Sequence, residues 1–279
     1  MGGALATAVS RIVGGEHILL ANRTPEKAAA LAGALGGLVY SVLTISLRAN
    51  QNVSGLALTT FGVGLGNFFG GSLIKLVDSE MPSVALTKTS AFFHLGIPGG
   101  NSLGWFGQLF LSHDFLTYIA IIVALIASFV LTRTRVGLNL RSVGENPATA
   151  DAAGINVSLY RYASTCVGCG IAGLGGLTFV MDYLHGNWEY CIDAIGWLAI
   201  ALVIFTVWKP NLGIIGSIVF GALYIASSYI TGVSFANKEL FKMLPYVVTI
   251  LVLVITSIRD KKENQPPASL GLPYFREDR

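Results

Sequence analysis

The sequence predicts an all-α protein, a polytopic transmembrane helical bundle of about seven spans, some broken or re-entrant, with a small α/β-like fragment at the amino end. Three observations predict it. Of the 279 residues 53% are hydrophobic and only 12% charged, with a mean hydropathy of +0.66, whereas soluble domains carry roughly 25% charged residues. The charges are bunched, which leaves uncharged runs close to the length of about 20 residues that crosses hydrocarbon. Lipid offers no partner to a backbone amide, so such runs must be helices and not open strands.

In chain order the runs are AAALAGALGGLVYSVLTISL (28–47), VSGLALTTFGVGLGNFFGGSLI (53–74), FLTYIAIIVALIASFVLT (115–132), ASTCVGCGIAGLGGLTFVM (163–181), AIGWLAIALVIFTVW (194–208), LGIIGSIVFGALYIASSYI (212–230) and LPYVVTILVLVITSI (244–258). Lys and Arg collect on the cytoplasmic side of membrane helices. Arg133, Arg135, Arg141 and Arg161 mark a loop at 133–162, and Arg259, Lys261 and Lys262 open a tail at 259–279; both are assigned to the cytoplasm. Four spans separate them, an even number, so the two assignments agree. Residues 75–114, 182–193 and 231–243 then fall outside, the first punctuated by Pro and Gly as an ordered outer loop.

The basic loop contains a short segment with stop signals at both ends. Asn146 is a good N-cap, Pro147 suits the first helical position, ATADAA favours helix, and Gly154 fits the C-terminal stop. A helix of about seven residues over 147–153 is too short to stand alone and needs a surface to dock on. The competing reading is a basic loop that does no more than set topology.

Cys166, Cys169 and Cys191 are too few and too apolar in setting for a disulfide framework or zinc site, and the CxxC at 166–169 reads as small packing residues. The string GCGIAG at 168–173 satisfies GxGxxG but follows no strand, so its glycines are read as points of close helix approach. Polar residues within spans that could face a pathway are Asn50, Gln51, Asn52, Ser54, Thr59, Thr60 and Asn67, with Tyr224, Ser227 and Ser228. Neutral donors beside Phe61 and Phe68 suit an uncharged ring bearing hydroxyls. Ordinary helix packing and a turn at 50–52 account for the same residues. Mid-span carboxylates and histidines are lacking, against a proton-coupled pump.

The run GLNLRSVGENPATADAAGINV resembles the cytoplasmic coupling loop of ATP-binding-cassette importer permeases that carry branched-chain amino acids, simple sugars and nucleosides. SLRANQNVSGLALTTFGVGLGNFFG, IGWLAIALVIFTVWKPNLGIIGSIVFGALY and NQPPASLGLPYFRED match the same family, so the resemblance spans about residues 38–279. RANQNVSGLAL and PPASLGLPY look most like the nucleoside-type branch. The resemblance implies a multi-pass protein of the bacterial inner membrane, with no catalysis of its own, forming the path for a nucleoside or simple sugar; branched-chain amino acids are the alternative cargo. It further implies a second permease subunit, an extracellular or lipid-anchored substrate-binding protein, no nucleic-acid partner, and ATP bound by a separate cytoplasmic subunit. The chain lacks a GxxxxGK[ST] phosphate loop, so no cofactor is expected in it. Arg141, Gly144, Glu145, Asn146, Pro147, Ala150 and Gly154 would couple to the ATPase subunit, and Asn50, Asn52, Ser54, Thr59, Phe61 and Asn67 would line the substrate path.

Residues 1–37 read differently: a small helix, a short strand EHILLA, a turn NRTPEK and another helix. They resemble the nucleotide-binding part of a pyrroline-5-carboxylate reductase, in which Asn22, Arg23 and Thr24 would lie near the NADP 2′-phosphate. The first strand and leading glycines of that fingerprint are missing, and an NADP-binding reductase fragment stands as the alternative function. Three spans counted back from the cytoplasmic loop put the amino end outside the cell. Arg11, Arg23 and Lys27 suit export poorly. The expectation is therefore a re-entrant segment at 53–74 or a truncated or recombined amino end with impaired transport, the junction falling at about 30–37.

Overall fold

Each of the seven apolar runs is helical over most of its described part, the exceptions being Leu47 and the turn at 206–208. The computed structural model describes residues 25–68, 90, 91, 93, 113–186, 195–229, 243–259 and 265–276. The expected strand at 16–21, Asn22 to Thr24, most of 75–114, the loops 187–194 and 231–242, and Lys261 and Lys262 lie outside the described residues. Among the described residues there is no strand.

Pro25, at the first helical position, and Glu26, an acid at the positive end of the helix dipole, open α1 (Pro25–Ser41), which widens into a π-helical stretch over Val42–Ser46. Residues 30–37 lie within this unbroken helix. After a short turn, the Asn50 side chain accepts from the amides of Asn52 and Val53 and so caps α2 (Gln51–Asn67). Then follow α3 (Phe115–Arg133), α4 (Arg135–Glu145), α5 (Pro147–Ala152), α6 (Val157–Thr178, extended as a π stretch over Phe179–Tyr183), α7 (Ile195–Phe205), α8 (Pro210–Tyr229) and α9 (Leu244–Arg259).

Among the described residues three helices are long and apolar enough to cross a membrane: Glu26–Ser46 with mean hydropathy 1.8, Phe115–Arg133 with 2.5 and Val157–Tyr183 with 1.5. The 21 residues of the first span about 30 Å, the thickness of the hydrocarbon. Gly196–Phe205, Pro210–Ile225 and Leu244–Ile255 are shorter apolar helices. On α3, Ile122, Ile126 and Phe129 are each more than half exposed. An apolar face of that kind is stable against lipid tails and not against water.

The chain divides into two units. In the first, α1 and α6 pack antiparallel along two stripes of small residues, each spaced by four: Ala29, Gly33 and Gly37 on α1 face Gly173, Cys169 and Thr165 on α6. A Cβ on Gly33 would fall on the Cys169 carbonyl oxygen, and one on Gly173 would fall on the Ala29 carbonyl oxygen. Without a hydrophobic drive between helices in lipid, such close backbone approach supplies the dispersion that holds them. At one end of the pair, Ala29, Leu116, Leu177, Met181 and Phe93 form a buried cluster, with Phe115 stacked on Phe93 at 5.5 Å. There Ser90 donates to the Met181 carbonyl at 2.7 Å, so its buried hydroxyl is satisfied.

The second unit holds α4, the larger part of α3, and a group of helices α7, α8 and α9 in mutual contact. The corner between α3 and α4 is made by Thr134, whose hydroxyl donates to the Val130 carbonyl at 2.7 Å and accepts from the Gly137 amide at 3.1 Å. Between α7 and α8, Val207 and Trp208 take left-handed φ values of 54° and 60°, Thr206 returns its hydroxyl to the Leu202 carbonyl, and the Phe205 and Phe220 rings meet at 5.0 Å.

Candidate coupling helix and pathway residues

The short helix α5 is defined at both ends by its own sequence. Asn146 is extended (φ −146°), and its side-chain oxygen accepts from the Thr149 amide at 3.0 Å, with Pro147 in the first helical position. At the other end Gly154 turns left-handed (φ 82°), its amide donates to the Asp151 carbonyl at 2.9 Å, and the Ile155 amide donates to the Ala150 carbonyl at 3.0 Å. This pair of bonds is a Schellman stop. The helix ends at Ala152, one residue short of the expected 153, because Ala153 already leaves helical geometry (ψ 5°) as the chain turns into Gly154.

Asn146, Pro147, Ala150 and Gly154 are thus gathered in one element and its caps. Ala150 faces inward at 2% exposure, while Asn146, Thr149 and Ala152 are exposed. Immediately beyond Gly154, Asn156 caps α6 by accepting from the Leu159 amide at 3.0 Å. Arg141, Gly144 and Glu145 belong to α4, a helix that the reading of 133–162 as a loop did not resolve. Arg141 and Glu145 are exposed, one turn apart. The Gly144 carbonyl, at the open end of α4, accepts from the amide of Ser269 at 3.0 Å and from its hydroxyl.

The carboxyl tail supplies residues that sequence reasoning missed. Tyr274 donates to Asp151 Oδ2 at 3.0 Å and Arg276 Nε donates to the same oxygen at 3.1 Å. Arg276 is 75% exposed, so its ion pair contributes at most about 1 kcal/mol. Arg161 donates to the Leu272 carbonyl at 3.1 Å, and Arg48 lies 4.5 Å from the centre of the Phe275 ring. The signal was present in PPASLGLPYFRED, where proline punctuation with aromatic and charged residues marks a segment with something to bind.

The six expected pathway residues do not form one surface. Asn50 uses its side-chain oxygen as the cap of α2. Asn52, Thr59 and Asn67, at spacings of seven and eight, share one face of α2, whereas Ser54 and Phe61, also seven apart, lie on the opposite face. Ser54 is buried and Phe61 is 64% exposed. Thr59 and Thr60 return their hydroxyls to the Gly55 and Leu56 carbonyls, which keeps these polar groups satisfied on an exposed helix. Gln51 is half-buried, its carbonyl accepting from the Tyr40 hydroxyl at 3.3 Å, and Phe68 is exposed. Tyr224 lies on α8, and the side chains of Ser227 and Ser228 lie outside the described residues. Among the described residues no group of three His, Cys, Asp or Glu gathers to hold a metal.

Comparison with known proteins places the chain among membrane transport proteins. Residues 1–253 match the family described as the branched-chain amino acid transport system permease component. The chain is 33% identical over 231 residues to the nucleoside ABC transporter permease protein NupC of Lactococcus lactis subsp. cremoris, covering 81% of this chain and 70% of the relative. It is 33% identical over 258 residues to the guanosine ABC transporter permease protein NupQ of Bacillus subtilis, covering 89% and 76%. A putative glucose ABC transporter permease protein of Haloferax volcanii, TsgC13, is 30% identical over 260 residues, covering 86% and 77%. No solved structure matches. With a family match over most of its length and relatives aligned over more than two thirds of theirs, the chain belongs to the permease components of the branched-chain amino acid transport family, as a multi-pass inner-membrane transport protein and not an enzyme.

Proposed function

We propose that this permease forms the membrane path of an ATP-driven importer for a nucleoside or simple sugar. A separate ATPase subunit docks on α5, a second permease subunit completes the path, and a substrate-binding protein delivers cargo at the outer face. The observation that carries the reading is α5 itself: a six-residue helix, capped at both ends, with Asn146, Thr149 and Ala152 exposed. Ala150 and Asp151 seat one side of this short helix on its own chain, and the side left exposed offers the surface on which an importer's ATPase subunit would dock. Uncharged cargo is supported by the neutral polar face of Asn52, Thr59 and Asn67 on α2, and a nucleoside by the names of two relatives.

Reconstitution with the cognate ATPase, second permease and binding protein in liposomes tests this. ATP-dependent accumulation of labelled guanosine or uridine is expected, suppressed by excess unlabelled nucleoside and not by leucine. Glucose uptake would move the cargo to the sugar class. Leucine uptake alone would overturn the nucleoside-or-sugar assignment, and the absence of any ATP-dependent uptake would overturn the importer reading.

A further inference from the structure

A cavity of about 300 Å³ opens in the first unit, where α1 ends and α6 begins. Three arginines line it from three separate segments: Arg48 from the turn after α1, Arg161 from the first turns of α6, and Arg276 from the tail. Asp151 is the only carboxylate among the described lining residues, which together carry a formal surplus of two positive charges. The contacts described for Arg161 and Arg276 use one N–H each, from guanidinium groups with five. Arg48 reaches the wall from a left-handed backbone (φ 56°), a costly conformation for a residue with a side chain and one kept where the surroundings fix it. Val157 and Ser158, in the first turn of a 22-residue helix, add the positive end of its dipole to the same wall.

Ile45, Ile155 and Val157 give the wall an apolar part beside the polar Asn156, Ser158 and Tyr274. Two membrane-length helices, Glu26–Ser46 and Val157–Tyr183, terminate here, so the cavity lies at the level of lipid head groups. Arginine forks match the oxygen geometry of phosphate, and basic pockets between membrane helices at this depth recognise anionic head groups.

We propose that this cavity binds a phosphate-bearing anion, with the phosphodiester of an anionic phospholipid as its source and a soluble phosphate or nucleotide as the other. The bound phosphate bridges Arg48, Arg161 and Arg276, and so fastens the tail to the segment that follows α5. The site stands on the arginine cavity alone and does not depend on which subunit docks on α5.

The test is native mass spectrometry of the full chain, delipidated in detergent, with phosphatidylglycerol or phosphatidylcholine, and in separate arms inorganic phosphate or ATP. Phosphatidylglycerol is expected to bind at least tenfold more tightly than phosphatidylcholine. That preference should fall at least tenfold in R48Q/R161Q and persist in R133Q, whose arginine lies outside the cavity. Binding of inorganic phosphate or ATP that is lost in R48Q/R161Q, without a preference among lipids, assigns the same site to a soluble anion. Should R48Q/R161Q not fold, protection of Arg48 and Arg161 from phenylglyoxal in the native chain reads the same contact. Equal binding of both lipids with no soluble anion bound, undiminished binding in R48Q/R161Q, or equal phenylglyoxal reaction with and without the anions would overturn the proposal.

Discussion

Gly33→Val and Gly173→Val each destabilise the protein by about 3 kcal/mol or more, at the upper end of overpacking costs, because the added atoms meet backbone that cannot give way. The antiparallel stripes on α1 and α6 bring carbonyl oxygens of one helix onto the bare Cα of the other. A branched side chain there forces the whole pair apart. For a chain of this size that is a fall in melting temperature of roughly 6–12 °C, measured on detergent-solubilised protein. Neighbouring glycines provide the control. A Cβ on Gly36 or Gly168 has nothing within 4 Å. Gly36→Ala and Gly168→Ala should therefore leave the melting temperature unchanged or raise it slightly through better helix propensity. Equal loss in both sets would mean that glycine matters here for something other than interhelical approach.

The second large effect is on function and leaves the bundle standing. Asn146→Ala removes the cap on Thr149 at a cost of about 1 kcal/mol. Gly154→Ala places a side chain in a left-handed backbone at about 1–2 kcal/mol. Six residues of helix have no reserve against the sum, so α5 frays in the double variant while the long spans remain folded. Transport in the reconstituted system and capture of the ATPase subunit should both fall tenfold or more. Gly154→Asn should be milder, since Asn tolerates the left-handed region. A double variant that transports at the normal rate would show that order in α5 is not needed for coupling.

The long spans and α5 were legible for different reasons. Runs such as FLTYIAIIVALIASFVLT admit only a helix in lipid, and the runs match α3 and α8 to within two residues, whereas α6 begins six residues before its run, in the polar segment led by the Asn156 cap. The helix α5 was legible because Asn146, Pro147 and Gly154 are local signals that act over four residues. The helix α4 escaped because RVGLNLRSVGE is polar overall, and its arginines signal topology more strongly than its spacing signals a helix. The pathway was harder still. Asn50 spends its side chain on a cap, and Ser54 and Phe61 sit opposite Asn52, Thr59 and Asn67, distinctions that depend on helix phase and not on residue type. The clasp of Tyr274 and Arg276 on Asp151 joins residues more than 120 apart in sequence, and nothing local announces such a pairing.

The most direct measurement is a disulfide cross-link from α5 to the ATPase subunit. With the three native cysteines replaced, Thr149→Cys places an exposed thiol on the outer face of α5, and Leu125→Cys places one on the lipid-facing side of α3. The assembled transporter is oxidised with single cysteines around the rim of the ATPase docking groove. A covalent permease–ATPase product from Thr149→Cys, its yield changing with bound ATP and absent from Leu125→Cys, is the predicted result. A Thr149→Cys that joins no position on the ATPase, in a complex that still transports, would contradict the assignment of α5 as the site where the motor takes hold.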